Sequence, residues 1–445
     1  MKKLALVNLF FALSIINTQA MASQHNTPLD KLTEQSFFND TKIGVTLRNY
    51  GKYLNEDGTG DTLIHSAWGQ AFGLAYQSGY FADFIGFDAS YVNVVKLAAS
   101  NYFATRNLLW NDGTGYDKKN AHGFDKVSQR YIKIKFGEQA SLNFKAKWGW
   151  QVLRNYAVLT TSYQLTKNSY LGYSGTLAYD NYSLDTLYVT SSMNRDSPEK
   201  EQIQTANKKK IDYIIGTGLN YKDKKLSVTY AYGEADDYIR RQLLELNYNP
   251  HPQLTLGSQI YFNNPLTNYK QLSPDKRAAD GNSWYYAADI KWQQDLVGLK
   301  LGIAHTKADK DNGSLGYFER HVTKNARWRF NSLTEAAYHY QRNGELAITF
   351  LGDYQASPNF TTAMQINYGQ FNYKDNKFKT GEINVWGQWT PSDSRLKNLS
   401  IFAKIGKSWT YKANKAQPIF DNQGHYQRGT GISGEFIIDY RFNLF

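Results

Sequence analysis

The chain has 445 residues and no cysteine, which excludes disulfides, thiol catalysis and cysteine-held metals. Lysine and arginine (51) outnumber aspartate and glutamate (39), giving a formal net charge of +12, and 15% of residues are aromatic. This length would accommodate two or three soluble domains, but the residue pattern keeps one character after the first forty positions, which argues for a single long domain.

The chain opens with Met1-Lys2-Lys3, an almost wholly apolar run from Leu4 to Ile16, and Ala20-Met21-Ala22, the form of a cleavable export leader. The apolar run is shorter than the ~20 residues a spanning helix needs. Residues 1–22 are therefore assigned as signal peptide, with the mature chain beginning near Ser23. A polar segment, 23–40, is expected in the periplasm ahead of the first strand; it is too short for the plug of an energy-coupled receptor. Export also argues against a nucleic-acid partner, the usual suspicion for a basic chain.

From about Thr41 to Phe445 apolar and polar residues alternate. Leu142, Phe144, Ala146 and Trp148 fall on one face of a strand, and Ser141, Asn143, Lys145 and Lys147 on the other. Near the end of the chain, Phe436, Ile438, Tyr440, Phe442 and Leu444 interleave with Ile437, Asp439, Arg441 and Asn443. An apolar face of this extent is satisfied by lipid and the polar face by a water-filled lumen. The fold class expected is all-β: a transmembrane antiparallel β-barrel of about 18 strands over 41–445.

The connections carry a second regularity. Tight joints at Tyr80–Asp83, Gly137–Gln139, Asp180–Ser183, Lys222–Lys224, Asn249–Pro252, Gln294–Leu296, Gln355–Asn359 and Pro391–Lys397 alternate with longer segments. This is the rhythm of short periplasmic turns and long extracellular loops. The connection near Gly233–Asp237 is short where a long loop is due. Aromatic residues gather near strand ends, as the interfacial girdles of a barrel require.

Charge placement points to a pore. Lys133 and Lys135 share a face with Tyr131, and the next strand places Lys145 and Lys147 on its polar face. A tight turn joins the two strands, so these lysines should form one basic patch in the lumen. Arg48, Arg241, Lys291, Lys300 and Lys404 are further inward-phase cations, with Asp289, Glu345, Asp353, Glu382 and Asp439 as inward acids. Basic ladders favour anionic solutes. Two long segments are candidates for loops folded into the pore: 151–168, with Arg154, Tyr156 and Tyr163, and 307–343, with Arg320, Arg327 and Arg329. Their rings beside charged groups would also suit sugars, which stack on aromatic faces.

Several blocks in order resemble the OprD-type outer-membrane porin family, in its chitoporin-like branch. They include Gln77-Ser78-Gly79-Tyr80, Ala82-Asp83-Phe84-Ile85-Gly86-Phe87-Asp88, Tyr232-Gly233-Glu234-Ala235 and Gly316-Tyr317-Phe318-Glu319-Arg320. The resemblance implies an eighteen-stranded porin of a Gram-negative outer membrane, with a basic ladder leading to an eyelet shaped by inward loops. It also implies passive uptake of small nutrients: chitooligosaccharides in one branch, carboxylates or basic amino acids in others. Many barrels carry aromatics on the phase of a terminal Phe, whereas here Arg441 and Asn443 occupy it. An enzyme would need a catalytic constellation that the eight histidines and the Asp236-Asp237 pair do not form, so neither catalysis nor a cofactor or metal is expected. The expected partners are a small solute (oligosaccharide or carboxylate) and the surrounding lipid and lipopolysaccharide; homotrimer and monomer are both open.

Overall fold

The computed structural model describes residues 36–57, 63–102, 106–115, 117–137, 141–311, 313–331, 340–414 and 417–444. The expected leader and residues 23–35 lie outside them. After a short helix at Ser36–Asn39 come β1 Lys42–Glu56, β2 Leu63–Gln77, β3 Ile85–Ala99, β4 Phe124–Phe136, β5 Asn143–Gln151 and β6 Ser169–Tyr179. Next are β7 Tyr182–Met193, β8 Ile214–Lys222, β9 Leu226–Ala235, β10 Ile239–His251, β11 Leu254–Pro265 and β12 Ser283–Gln294. The last six are β13 Val297–Lys307, β14 Leu346–Ser357, β15 Phe360–Tyr373, β16 Asn376–Trp389, β17 Leu399–Tyr411 and β18 Arg428–Asn443.

Each strand pairs antiparallel with its sequence neighbours, and β1 pairs β18 from Gly44↔Asn443 to Glu56↔Gly431. The sheet is thus a closed barrel of eighteen strands. A three-residue strand, Lys200–Gln202, adds to β7 from within the β7–β8 loop. Closure pairs the backbone groups that lipid could not hydrogen-bond.

The faces follow the alternation. Ile132, Phe136, Trp148, Phe436 and Ile405 are exposed on the outside, while Tyr131, Glu382 and Arg48 are buried inside. The connection between β9 and β10, Asp236–Tyr238, is short. A second short outer connection, Lys374–Asp375, interrupts the alternation of lengths between β15 and β16. Both its residues have positive φ, 47° and 57°, the backbone of a tight hairpin turn. The sequence hides it because lysine and aspartate stand where asparagine and glycine would advertise such a turn.

The lumen is not empty. Leu153, Ala157, Val158 and Leu159 of the β5–β6 loop join Phe318, Val322, Ala326 and Trp328 of the β13–β14 loop in one buried cluster. This cluster packs on inward residues of β6 to β14, among them Tyr170, Leu187, Tyr261, Tyr285 and Ala347. The two loops also pair with each other: Thr160 N–H donates to the Arg327 carbonyl and Arg329 N–H to the Val158 carbonyl, at 2.9 and 2.7 Å. Both loops therefore fold into the barrel. A third loop, between β3 and β4, does the same on the opposite wall, where Leu108 and Leu109 pack with Leu165 against Tyr50, Ala71 and Val92. Gly69 of β2 makes this approach possible, since a Cβ there would lie 2.5 Å from Leu165 Cδ1 and 3.3 Å from Leu109 Cδ2.

Candidate functional site: a basic eyelet

The β5–β6 loop carries Tyr163 to the inner wall where β1 meets β18. The Arg48 guanidinium lies 4.0 Å from the centre of its ring, with Lys167 Nζ at 5.2 Å and the Arg441 guanidinium at 5.6 Å. Arg48 pairs with Asp439 Oδ2 at 3.0 Å, and Arg441 pairs with the same carboxylate. A space of about 500 Å³ opens here, lined by Val152, Arg154, Thr161, Tyr163, Lys167 and Arg441. Arg154 and Lys167 are exposed to it and have no carboxylate partner among the described residues. The Lys167 ammonium is pushed below its ordinary range by burial and by Arg441, Arg154 and Arg48. Among the described residues the site thus sets Arg48, Arg154, Lys167 and Arg441 against one carboxylate, Asp439, and an anion entering it would relieve their mutual repulsion.

More cations flank this group. Glu435 accepts from Tyr50 Oη at 3.0 Å and lies 3.9 Å from Lys52 Nζ and 3.7 Å from Lys404 Nζ. Arg195, in the β7–β8 loop, donates to Ser162 Oγ at 2.8 Å, and burial pushes its guanidinium down to about 10. Arg320 is likewise pushed to about 10 by burial and by Arg327, whose Nη1 lies 2.8 Å from His321 Nε2.

Arg241, expected to line the pore, does something else. It is wholly buried, donating to Asn263 Oδ1 at 2.9 Å, to the Arg320 carbonyl at 2.8 Å and to the Glu319 carbonyl. Its guanidinium also faces the rings of Phe318 and Trp328. Arg329 is paired with the buried Glu245 and caps the Asn155 carbonyl at 3.0 Å. Tyr156 packs on the loop cluster and bonds Thr176 Oγ1 at 2.8 Å. These three hold the inward loops in place and are not free to meet a solute.

The four lysines of the β4–β5 hairpin do meet, Lys133 opposite Lys147 and Lys135 opposite Lys145. They lie toward the periplasmic end, however, and the patch is not purely basic. Lys133 reaches Asp88 at 2.7 Å and Lys135 reaches Asp83 at 2.5 Å, with the Tyr80 ring 4.8 and 4.6 Å from the two ammoniums. Lys147 lies over Tyr131 at 4.9 Å. Both aspartates precede Lys133 by more than forty positions, so nothing local to the hairpin signals them. Among the inward acids, Asp289 lies 3.8 Å from both Lys291 and Lys300. Glu345 and Glu382 are buried around Tyr340 and Thr380, with Tyr340 Oη 3.2 Å from Glu382 Oε1.

Lys52, Lys167, Arg195 and Arg441 are members of the site that the sequence reading did not select. For Lys52 the signal was available, since it shares the phase of Arg48 and Tyr50. Arg441 faces the lumen beside Asp439, while Tyr440 and Phe442 face outward on either side of it; Phe445 lies outside the described residues.

Comparison with known proteins agrees with this architecture. The chain is 23% identical to the chitoporin of Escherichia coli over 309 residues, 65% of this chain and 63% of that one. It is 31% identical to porin D of Pseudomonas aeruginosa over 114 residues, 24% and 25% of the two chains. The matches therefore span less than two thirds of either curated relative. Among solved structures, the fold resembles OpdK of Pseudomonas aeruginosa, determined with vanillate, at a TM-score of 0.69 and 16% identity, covering 92% of this chain and all of the other. OccAB2 of Acinetobacter baumannii is similar at 0.71 and 18% identity, over 93% of this chain. Residues 35–404 match the model of the OprD family of outer membrane porins. With its closed barrel, inward loops and basic eyelet, the chain belongs to that family.

Proposed function

We propose that the protein is a passive diffusion channel whose eyelet selects small organic anions, carboxylates above all. The observation that carries this reading is the set of four cations, Arg48, Arg154, Lys167 and Arg441, around Tyr163, of which Arg48 and Arg441 share Asp439 while Arg154 and Lys167 have no carboxylate partner among the described residues. A carboxylate can accept from two of these donors at once, and an arginine fork matches its geometry. Basic amino acids would meet like charge here. The rings that could have stacked a sugar in the eyelet are engaged: Trp328 and Phe318 are buried, and the Tyr163 ring is ringed by cations. The solved relative OpdK was determined with vanillate, itself a carboxylate.

A second reading, chitooligosaccharide uptake, is favoured by one feature. Trp386 and Phe402 face the lumen from β16 and β17 with ring centres 5.9 Å apart, beside Gln388 and Ser400, a surface suited to a sugar ring. The similarity to a chitoporin points the same way.

Single-channel recording separates the two. Protein in a planar bilayer should be anion-selective, and benzoate should carry current or interrupt it. Replacing Arg154 and Lys167 together by serine should lower the anion-to-cation permeability ratio by about fivefold or more, since one unit charge at ~8 Å and an effective dielectric of ~40 is worth ~1 kcal/mol. Block by chitohexaose together with indifference to benzoate would replace the carboxylate reading by the sugar one.

A further inference from the structure

Three cations face outward at the extracellular ends of adjacent strands: Lys379 of β16, Lys407 of β17 and Arg428 of β18. Register sets their direction. Lys407 stands opposite Ile383 and Ile432, Lys379 opposite Gln370, and Arg428 is in phase with Thr430 and Ile432. All three are exposed, and among the described residues none is in an ion pair. By contrast Arg240, outward on β10, is neutralised by Glu234 at 2.6 Å.

Below these cations, on the lipid side, a depression of about 580 Å³ crosses β17, β18, β1 and β2. Gly434 and Gly51 lie in it, with Ile405, Ile432, Phe436 and Trp68 around them. A Cβ on Gly434 would find its nearest atom at 3.7 Å and one on Gly51 at 3.6 Å, ordinary contact distances. Packing therefore does not require either glycine, and their missing side chains leave a surface groove. A smaller space of about 190 Å³ shares Ile432 with it and reaches Lys407, Thr430 and Asn55. Glu56 and Asp57 also border that space, but Glu56 lies 3.4 Å from His65 and Asp57 accepts the Thr430 N–H.

We propose that this sector of the outer wall binds a phosphorylated, multi-acyl glycolipid of the outer leaflet, with an acyl chain in the groove and phosphate against Lys407, Lys379 and Arg428. The occupant must be amphiphilic because the site is: an apolar trough ends at membrane-surface height under unpaired cations, which attract anionic headgroups. A second copy of the chain docked symmetrically would bring its own three cations against these, so charge favours the lipid. The inference depends on the outer-membrane location and is independent of the solute that the eyelet selects.

Native mass spectrometry of the delipidated full-length protein in neutral detergent tests it, with bis-phosphorylated hexa-acyl lipid A as probe. The wild type should retain a discrete lipid A adduct. Lys379→Ala, Lys407→Ala and Arg428→Ala combined should lower retention by at least about tenfold, as should Gly434→Leu, which fills the trough. Unchanged heat-modifiable migration and conductance would show that the variant barrels are folded. Equal adducts in all variants, or wild-type retention of dephosphorylated lipid A, would overturn the proposal. So would a discrete dimer abolished by Gly434→Leu with no lipid A adduct, which would give the face to a second copy.

Discussion

Among single residues, the inner face divides cations that face water from cations that hold backbone. Arg241 shares the lumenal phase with Arg48 and Lys404, and phase alone does not separate it from them. What sets it apart is the β13–β14 loop, roughly eighty residues further along the chain, which descends onto β10 and brings its own Arg329 to Glu245. Arg241→Met should leave the carbonyls of Arg320 and Arg329 without their donor and the Glu319 carbonyl with Asn263 alone. Each buried unsatisfied group costs on the order of 1–3 kcal/mol, so amide exchange in 318–329 should accelerate by tenfold or more while the barrel itself stays folded. Arg329→Met is expected to be worse, by roughly 3–5 kcal/mol, because it strands the buried Glu245 charge. Adding Glu245→Gln should recover much of that loss in a urea titration. If the double variant is no more stable than the single one, the pair is not what anchors the loop.

Whole elements were legible to different degrees. Strands announce themselves through a period of two, and the segments 151–168 and 307–343 through rings beside charges. The inward fold of the β3–β4 loop was not legible, although Leu108-Leu109 was an apolar pair in polar surroundings and Gly69 left the space it fills. A loop packed on the inside of a barrel buries only a few apolar residues at irregular spacing, so no periodicity marks it. The β13–β14 loop carries a pH dependence of its own. Burial raises the Glu319 carboxyl from its ordinary range to about 7, against the lowering effects of the His321 N–H and of Arg241 and Arg320. The folded loop thus favours the protonated acid. Its contribution to stability is full below the unfolded pKa, near 4.5, and is lost as pH rises through about 7. Open-channel noise and proteolysis of 313–331 should therefore increase between pH 5.5 and 8.5, and Glu319→Gln should flatten both profiles. A profile that survives this substitution would assign the dependence to another group.

For the molecule as a whole, closure, strand number and the sense of each face were readable because lipid and lumen impose opposite demands on alternate residues. The eyelet was only partly readable, since it depends on which strands meet and which loops turn inward. The anion selectivity proposed for it is electrostatic and should respond to salt. The screening length falls from ~10 Å at 0.1 M to ~3 Å at 1 M, so the anion preference measured by reversal potential should shrink several-fold across that range. Persistence at 1 M would point to direct ligation rather than field. The position of the seam has one more consequence. Arg48 belongs to the first strand, and Asp439 and Arg441 to the last, so this part of the proposed filter comes together only when the two ends of the sheet pair. A half-zipped barrel lacks its filter as well as its wall, and assembly completes both in one step. Any intermediate on that route would be unclosed and without this charge cluster together.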